Sequence, residues 1–370
     1  MRGRRLRGAR RVCLLPQGAA VKPVGVAIVG CGTISHQYLT TLAARPEVQI
    51  IACADIDVDR AAKVALDHAV PVHGDVATVL AHPDVELVVN LTIPAAHAPV
   101  ALAAIRAGKH VYTEKPFAAT PAEAAEVLAQ ASAAGVLTGG APDTFLGAGL
   151  QTAARIVSDG VIGDPLSAIV LMQGPGPHRW HHDPEFLFGP GGGPLFDMGP
   201  YYLTALAVMF GPVTRVSAAA RKGFAERVIG QGPRAGHTFP IEVATHVTAL
   251  LEYAGGQVAT VVFSFDSPLS RQAFFEITGT EATLAVPNPN KFTGPVQIRR
   301  AGDPEWTDIP APEADDGRGI GVCDLARAIR TGERHQATGE LAAHVVDVMA
   351  AIQESAERSA IVEVSSPWTP

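Results

Sequence analysis

The sequence predicts an α/β fold in two parts, an N-terminal doubly wound parallel sheet and a C-terminal α+β domain with a large, mostly antiparallel sheet. Three observations support this prediction. A chain of 370 residues is too long for one typical core. Its first half alternates short β-rich apolar runs with longer alanine-rich stretches, as βαβ units do. In its second half, two apolar runs flank a pair of glycines, which predicts a hairpin.

The elements of the first domain follow from apolar periodicity and from helix stop signals. Strands are predicted at residues 24–30, 48–55, 85–94 and 109–114, and helices at 35–46, 59–68, 95–108 and 121–135. Pro46 stops the first helix, Gly108 can end the third in the left-handed conformation, and Pro121 suits the first turn of the fourth.

The elements of the second domain begin with a helix at 195–211, in whose first turn Pro200 is tolerated. A hairpin at 246–267 turns at Gly255 and Gly256. Further strands are predicted at 274–286 and 296–301, and a closing helix at 340–359.

Both faces of the predicted hairpin are apolar. Val247, Leu251 and Tyr253 lie on one face, and Leu250 and Val262 are among those on the other. One face should cover helices and the other a second subunit, so we expect a homo-dimer or homo-tetramer that associates through this C-terminal sheet.

Charge and composition divide the chain into three segments: a disordered basic tail at 1–22, the parallel-sheet domain at 23–145 and the α+β domain at 146–370. The first eleven residues carry six arginines and no acid, so a formal net charge of −7 leaves −13 on the remainder. Such an acidic body argues against nucleic acid or an anionic membrane as the main partner. With 47% hydrophobic residues, the chain can bury a substantial core.

The basic start has the charge of an export signal but not its apolar core. Only residues 12–15 are apolar before Pro16, whereas an export signal needs roughly 7–15 apolar residues. A disordered tail or an over-extended start fits better, and no apolar run is long enough to predict a transmembrane helix. The four cysteines show neither metal nor disulfide spacing. We therefore expect a cytoplasmic protein.

The stretch GCGTIS, residues 30–35, lies between the first strand and the first helix. Gly30 permits a tight turn, Gly32 lets the backbone approach a pyrophosphate, and the helix N-terminus supplies partial positive charge. The third position of this fingerprint is Ser35, not glycine. Because a strand precedes the motif and a helix follows it, we predict a dinucleotide-binding (Rossmann) domain, with Gly30, Gly32, Thr33 and Ile34 at the cofactor.

Asp55, at the end of the second strand, has the position of a ribose-binding acid. Its carboxylate would accept hydrogen bonds from the adenosine ribose and repel a 2′-phosphate, and Asp57 would add to that repulsion. We therefore predict NAD as the cofactor, with NADP possible because Arg60 could reach a phosphate. The alternative for Asp55 is a helix N-cap.

Lys115 stands in VYTEKPFAAT, at the carboxyl end of a predicted buried strand, where a substrate would meet the nicotinamide. A lysine partly removed from water there would have a lowered pKa and could polarise a carbinol oxygen or exchange protons with it. The alternative is a turn with a solvated lysine.

Three segments, 26–39, 91–120 and 191–202, together resemble the glucose-fructose oxidoreductase, inositol dehydrogenase and rhizopine-catabolism (Gfo/Idh/MocA) family. The resemblance runs from about Val24 to the C-terminus, and AGKHVYTEKP is its most specific part. It implies that Glu114-Lys115-Pro116 is the family's EKP signature and that Lys115 is the catalytic-site lysine. It also places His97 near the nicotinamide and assigns Thr92 and Glu114 to the cofactor site, although Ile93 separates Thr92 from Pro94.

Asp197 and Tyr201 lie four residues apart, so a helix would place them on one face. Many family members have D-x-G-x-H here, with histidine as acid/base, whereas this chain has Tyr201 at that position. The D-x-G-x-Y pattern is similar to the family branch in which the tyrosine is the proposed acid/base. A nearby ammonium such as that of Lys115 would lower the tyrosine pKa from near 10. The alternatives are an N-cap for Asp197 and a core aromatic for Tyr201.

The loop PHRWHHDPEFLF offers Trp180, His181 and His182 as candidate substrate contacts. Adjacent histidines without helical spacing seldom converge on one ion, so no metal is predicted. A plain surface loop is the alternative.

The resemblance implies an NAD(P)-dependent oxidoreductase that acts on a secondary hydroxyl or carbonyl of a sugar, cyclitol or related polyol. Lys115, Asp197 and Tyr201 are its predicted catalytic residues. Two alternatives remain: a glycosidase that recycles its own NAD, and a redox-silent NAD-binding regulator. Retention of all three residues argues against the regulator.

Overall fold

The computed structural model describes residues 22–314, 316–366 and 368–369. Apart from Lys22, the predicted basic tail at 1–22 lies outside the described residues. The predicted combination of a parallel sheet with a larger mixed sheet is confirmed.

The first sheet has six parallel strands in the order β3-β2-β1-β4-β5-β6, which is the doubly wound order. Its strands are β1 (Val24–Val29), β2 (Val48–Ala54), β3 (Val72–Gly74), β4 (Leu87–Asn90), β5 (His110–Thr113) and β6 (Thr138–Gly140). Its helices are α1 (Ser35–Ala43), α2 (Val58–Asp67), α3 (Val76–Ala81), α4 (Pro94–Arg106) and α5 (Pro121–Ala134). All residues of β1 and β4 are buried, as expected for central strands covered on both faces.

Local signals explain several helix ends in this domain. Thr120 and Glu123 form a reciprocal capping box at the start of α5, and Gly108 follows α4 with φ +70°. The sequence analysis missed β3 and α3, because strands and helices of three and six residues carry too little periodicity to be recognised.

The second sheet has nine strands in the order β16-β15-β14-β13-β7-β12-β11-β8-β17, and only the β7–β12 pair within it is parallel. Its strands are β7 (Pro165–Gln173), β8 (Val213–Arg221), β11 (His246–Tyr253), β12 (Val258–Ser264), β13 (Arg271–Gly279), β14 (Ala282–Ala285), β15 (Val296–Arg300), β16 (Thr307–Ile309) and β17 (Val362–Glu363). A separate two-stranded ribbon pairs β9 (Glu226–Val228) with β10 (Thr238–Pro240). The described part of this domain also contains four α-helices: α6 (Ala148–Ser158), α7 (Gly193–Phe210), α8 (Ile320–Thr331) and α9 (Gly339–Arg358).

The two faces of the large sheet differ in burial. Val247, Leu251 and Tyr253 are buried on the face that α7 and α9 cover. On the other face, Ile169 and Leu250 are 49% and 42% exposed. In the described monomer, an apolar strip of this face is therefore open to solvent.

Helix α7 begins two residues before the predicted start, and this changes the position of its proline. Gly192 is the N-cap and Gly193 the first residue, so Pro200 lies inside the helix and not in its first turn. The expectation about Pro200 was therefore wrong. Helix propensity does not predict a start at Gly193, because glycine is a poor helix former and the residues before Leu195 are rich in glycine.

Helix α8 returns from the second part of the chain to the first sheet, where it packs on β1, β5 and β6. A helix from beyond the predicted boundary between residues 145 and 146 thus packs on the sheet of the first domain. None of the helices in the described residues combines the length and the apolar character that crossing a membrane requires.

Candidate active site

The loop between β1 and α1 has the backbone geometry of a dinucleotide turn. Gly30 has φ +99°, and a Cβ there would lie 2.6 Å from the carbonyl carbon of Leu91, so a larger residue would clash. Gly32 has no atom within 4 Å of such a Cβ, which leaves open space beside the loop. Ser35, at the third fingerprint position, donates its hydroxyl to the Gly32 carbonyl at 2.7 Å and thereby closes the turn.

The amides of this loop are available to a ligand. Those of Gly32, Thr33 and Ile34 have no acceptor among the described residues, and the N-cap Ile34 offers no side-chain cap. Free amides at the N-terminus of a nine-residue helix favour an anion such as a pyrophosphate. The loop therefore fits a dinucleotide.

Asp55 binds the same loop and does not cap a helix. Its Oδ2 accepts the Cys31 amide at 2.8 Å and its Oδ1 accepts the Asp57 amide at 2.9 Å. Asp57 is the residue that caps α2, through the Arg60 amide, so the N-cap alternative for Asp55 is excluded. The Arg60 guanidinium lies between both carboxylates, 3.5 Å from Asp55 and 3.3 Å from Asp57. A 2′-phosphate would have to displace these acids.

Lys115 follows β5 and is held in place by Glu114. The Glu114 carboxylate accepts the Lys115 amide at 2.7 Å and the Tyr38 hydroxyl at 2.9 Å. The Lys115 ammonium donates to the Asp197 carbonyl at 2.8 Å and to its Oδ1 at 3.0 Å. This pair joins the end of β5 to the second turn of α7, so Asp197 is not an N-cap.

Tyr201 lies one helical turn after Asp197 and is 4% exposed. The Lys115 Nζ is 5.4 Å from the centre of its ring, within the range of a cation–π contact. The structure thus brings Lys115, Asp197 and Tyr201 into one cluster beside the carboxyl end of β5.

The pKa values of Lys115 and Tyr201 are both raised, whereas the sequence analysis expected both to be lowered. Burial acts to lower the pKa of Lys115, but Asp197, Tyr201 and Glu114 favour the ammonium, and the pKa is raised. Burial raises the pKa of the Tyr201 phenol more than Lys115 and Arg318 lower it. The expected lowering of both pKa values was therefore wrong, because Asp197 neutralises the lysine and burial disfavours the phenolate.

His97 is buried, and the chain's own backbone engages both of its ring nitrogens. Nδ1 lies 2.6 Å from the Pro116 carbonyl and Nε2 lies 3.0 Å from the Thr92 carbonyl. Burial lowers the pKa of His97 despite these carbonyls, so a neutral ring donates to one of them at a time. His97 therefore joins the end of β4 to the turn at Lys115–Pro116, and its place near the nicotinamide stays a prediction.

Asn90, which the sequence analysis missed, ties Thr92 and His97 together. Its Oδ1 accepts the Thr92 hydroxyl at 2.7 Å, and its Nδ2 donates to the His97 carbonyl at 2.9 Å. An asparagine inside an apolar strand was the available signal for this role, since a buried amide needs partners.

In the loop with Trp180, His181 and His182, Trp180 and His182 are exposed and His181 is partly exposed. No hydrogen bond, ion pair or ring contact in the described structure joins these three residues to Lys115, Asp197 or Tyr201. Trp180 is 62% exposed. The described residues contain no group of three or more histidine, cysteine, aspartate or glutamate side chains that could hold a metal. A substrate contact by this loop stays a prediction.

The buried Asp143 and the partly buried Arg318 are two ionisable residues near the cluster that the sequence analysis also missed. Asp143 Oδ2 accepts the amides of Gly319 at 2.7 Å and Gly321 at 3.1 Å, and it thereby fixes the backbone that directly follows Arg318. Its Oδ1 is buried without a partner. The only sequence signal was the pair of glycines that flank Arg318.

The fold, the dinucleotide loop and the polar cluster define an NAD(P)-dependent oxidoreductase, as predicted. Two family models agree with this conclusion: an oxidoreductase family model with an NAD-binding Rossmann fold matches residues 24–139, and a GFO/IDH/MocA C-terminal domain model matches residues 150–285. The chain belongs to the Gfo/Idh/MocA family.

Relatives cover most of the chain. It is 27% identical over 311 residues to the trans-1,2-dihydrobenzene-1,2-diol dehydrogenase of Bos taurus, covering 82% of this chain and 86% of that protein. It is also 27% identical over 316 residues to the dTDP-3,4-didehydro-2,6-dideoxy-alpha-D-glucose 3-reductase of Streptomyces violaceoruber, covering 84% and 86%. Levoglucosan dehydrogenase in complex with NADH and L-sorbose shares the fold, with a TM-score of 0.81, 22% identity and coverage of 94% and 100%.

Asp143 yields a test of stability against pH. Burial raises the pKa of Asp143 to about 6 against the hydrogen bonds from Gly321 and Gly319, so the folded state holds this proton more tightly than the unfolded chain. Its contribution to stability is full below about pH 4 and is lost as pH rises through 6. Relative to the native protein, Asp143→Asn should therefore gain up to ~3 kcal/mol in unfolding free energy between pH 4 and pH 7.

Denaturant unfolding of both proteins at several pH values measures this difference. Asp164→Asn is the matched control, because Asp164 is exposed. An Asp143→Asn difference that does not change with pH would contradict the expectation.

Proposed function

We propose that the enzyme transfers a hydride between nicotinamide and a secondary alcohol or carbonyl on a sugar, cyclitol or related polyol. The observation that carries this proposal is the cluster of Lys115, Asp197 and Tyr201 at the strand ends of a dinucleotide-binding domain. The names of two relatives support the substrate class, since they specify a ring diol and a didehydro-sugar.

The side chains of the cluster have distinct tasks in this proposal. When bound, nicotinamide supplies or accepts the hydride. The Lys115 ammonium donates a hydrogen bond to the reacting oxygen, and Asp197 holds that ammonium in position. Tyr201 remains a protonated phenol at neutral pH, because burial raises its pKa, so it is suited to give a proton to the oxygen of a carbonyl during reduction.

A panel of substrates tests the reaction class. Purified protein with NAD or NADP is mixed with aldoses, inositols, diols and glycosides, and the absorbance of reduced nicotinamide is followed. We expect net reduction of the cofactor with a polyol. Cleavage of a glycoside without net reduction would favour the self-recycling glycosidase, and binding of NAD without any turnover would favour the regulator.

Removal of the lysine should separate chemistry from cofactor binding. Lys115→Ala should lower kcat by about 10² to 10⁴, because a group at the reacting oxygen is lost, while the Kd for NAD changes little. Lys63→Ala is the control, since the Lys63 side chain is 73% exposed. Normal turnover in Lys115→Ala would remove Lys115 from the mechanism.

The acid pair at the second strand should set cofactor preference. NAD should bind more tightly than NADP, because Asp55 and Asp57 would repel a 2′-phosphate and they already occupy Arg60. Calorimetric titration of both cofactors measures the ratio, and Asp55→Ala should shift it toward NADP. Tighter binding of NADP by the native protein would contradict the assignment of Asp55.

We also infer that two copies associate through the open face of the nine-stranded sheet, in a dimer or tetramer. The apolar strip with Ile169 and Leu250 supports this inference. The described cysteines are buried and free, which suits the reducing cytoplasm that we propose as the location.

A charge placed on the strip should disrupt the assembly. Ile169→Glu should reduce the molar mass measured by light scattering to that of one chain, because a carboxylate would be buried between the copies. Leu66→Glu is the control, since Leu66 is 83% exposed on α2 and lies outside the sheet. An unchanged mass in a folded Ile169→Glu variant would place the interface elsewhere.

A further inference from the structure

Arg318 lies in a glycine-bounded turn before α8 that is wedged between the two domains. Gly319 has φ +114°, which favours glycine, and a Cβ there would lie 3.4 Å from both Leu42 and Tyr38 on α1. A Cβ at Gly321 would lie 2.5 Å from the Tyr112 hydroxyl. This packing and the hydrogen bonds from the Gly319 and Gly321 amides to Asp143 hold the Arg318 backbone in one place.

The Arg318 side chain reaches the same tyrosine that Lys115 contacts. Its guanidinium carbon is 5.4 Å from the centre of the Tyr201 ring, the same distance as the Lys115 Nζ. The phenol ring of Tyr201 is thus contacted by two cations, Lys115 from the first part of the sequence and Arg318 from the second.

The guanidinium has few other partners. Nη2 donates to the Asn290 side-chain oxygen at 2.8 Å, whereas Nη1 is buried and has no hydrogen-bond partner. Within the part of the chain that the structure describes, Arg318 forms no ion pair with a carboxylate. Burying part of an incompletely paired cation is unfavourable. A functional role for the Arg318 charge would explain why it is placed here.

A fixed charge in a buried site is most useful where opposite charge develops during a reaction. Tyr201 would develop such a charge, since a phenol that gives a proton to a carbonyl oxygen becomes a phenolate. We propose that Arg318 is a positioning residue whose charge, together with that of Lys115, stabilises the Tyr201 phenolate during proton transfer. This inference rests on the proposed role of Tyr201.

The proton and the electron pair balance in both directions. In reduction, the carbonyl carbon receives the hydride while its oxygen takes the phenol proton, which leaves an alcohol and the Tyr201 phenolate. In oxidation, the phenolate takes the hydroxyl proton while the hydride leaves the carbon, which restores the phenol. Arg318 keeps its own protons throughout, because its pKa is raised by Tyr201 and Glu114 even though burial opposes this.

Direct contact with a substrate is a less suitable role for Arg318. Nη1 has almost no exposed surface, and one proton of Nη2 is donated to Asn290, so the guanidinium is held mainly by atoms of this chain. Four charged groups act on the phenol: Lys115 and Arg318 lower its pKa, whereas Glu114 and Asp197 raise it. Loss of Arg318 should therefore leave a phenol that is harder to ionise.

Alkaline titration of tyrosine absorbance tests this without any substrate. The chain has five tyrosines, and subtracting the curve of Tyr201→Phe isolates Tyr201. The other four, Tyr38, Tyr112, Tyr202 and Tyr253, have pKa values that burial raises. In an Arg318→Gln background, with Arg318→Gln/Tyr201→Phe subtracted, the Tyr201 midpoint should rise by about one to two pH units.

Three further variants make the result specific. Arg318→Lys should restore most of the shift, because it retains the positive charge. Arg327→Gln is the matched control, since Arg327 lies on α8 and pairs with Asp324 at 3.6 Å. Asn290→Ala should give a smaller rise by releasing the guanidinium, which provides a second test if Arg318→Gln does not fold. A midpoint that does not move in a folded Arg318→Gln or Asn290→Ala protein would overturn the proposal.

Turnover distinguishes this inference from the proposed function. With a substrate in hand, Arg318→Gln should lower kcat for oxidation most at neutral pH and recover toward the native rate at alkaline pH, whereas a merely structural defect would lower it at every pH. A shifted Tyr201 midpoint together with normal turnover of Tyr201→Phe would support the electrostatic coupling and refute Tyr201 as the acid/base.

Discussion

The ion pair between Lys115 and Asp197 is the contact on which the rest of the site depends. The lysine follows strand β5 of one domain's sheet, and the aspartate lies on helix α7 of the other domain. Only 18% and 22% of their side chains are exposed, so the attraction acts in a medium less polar than water. Because Tyr201 lies one turn further along that helix, the pair also determines where the phenol stands relative to the dinucleotide loop.

The balance of charge around Tyr201 explains why simple proximity arguments gave the wrong pKa directions. Lys115 is near the phenol, but Asp197 already neutralises it, and the buried phenol loses hydration on ionising. Arg318 is less fully compensated, so its charge acts on Tyr201 from a second side. The resting site therefore holds a neutral acid next to two cations, an arrangement that favours proton donation without leaving a permanent phenolate.

Residues close in sequence to a motif were predictable, and residues that reach the site from afar were not. Gly30, Asp55 and Lys115 follow their own strands, so βαβ periodicity places them at one edge of the sheet. The hydrogen bond from the Gly319 amide to Asp143, which helps to fix Arg318, joins residues 176 positions apart. No local sequence pattern encodes such a contact. Short elements such as β3 escaped for a related reason, because tertiary packing rather than propensity forms them.

The return of α8 to the first sheet means that the dinucleotide-binding domain is not one continuous stretch of chain. Arg330 on α8 binds the Glu86 carboxylate and the carbonyls of Lys22 and Pro23 at the opposite end of the sequence. A helix from late in the sequence thus closes this end of the domain. The first 145 residues alone would leave the sheet without α8, one of the helices that cover it, so the first half of the sequence depends on the second for a complete core.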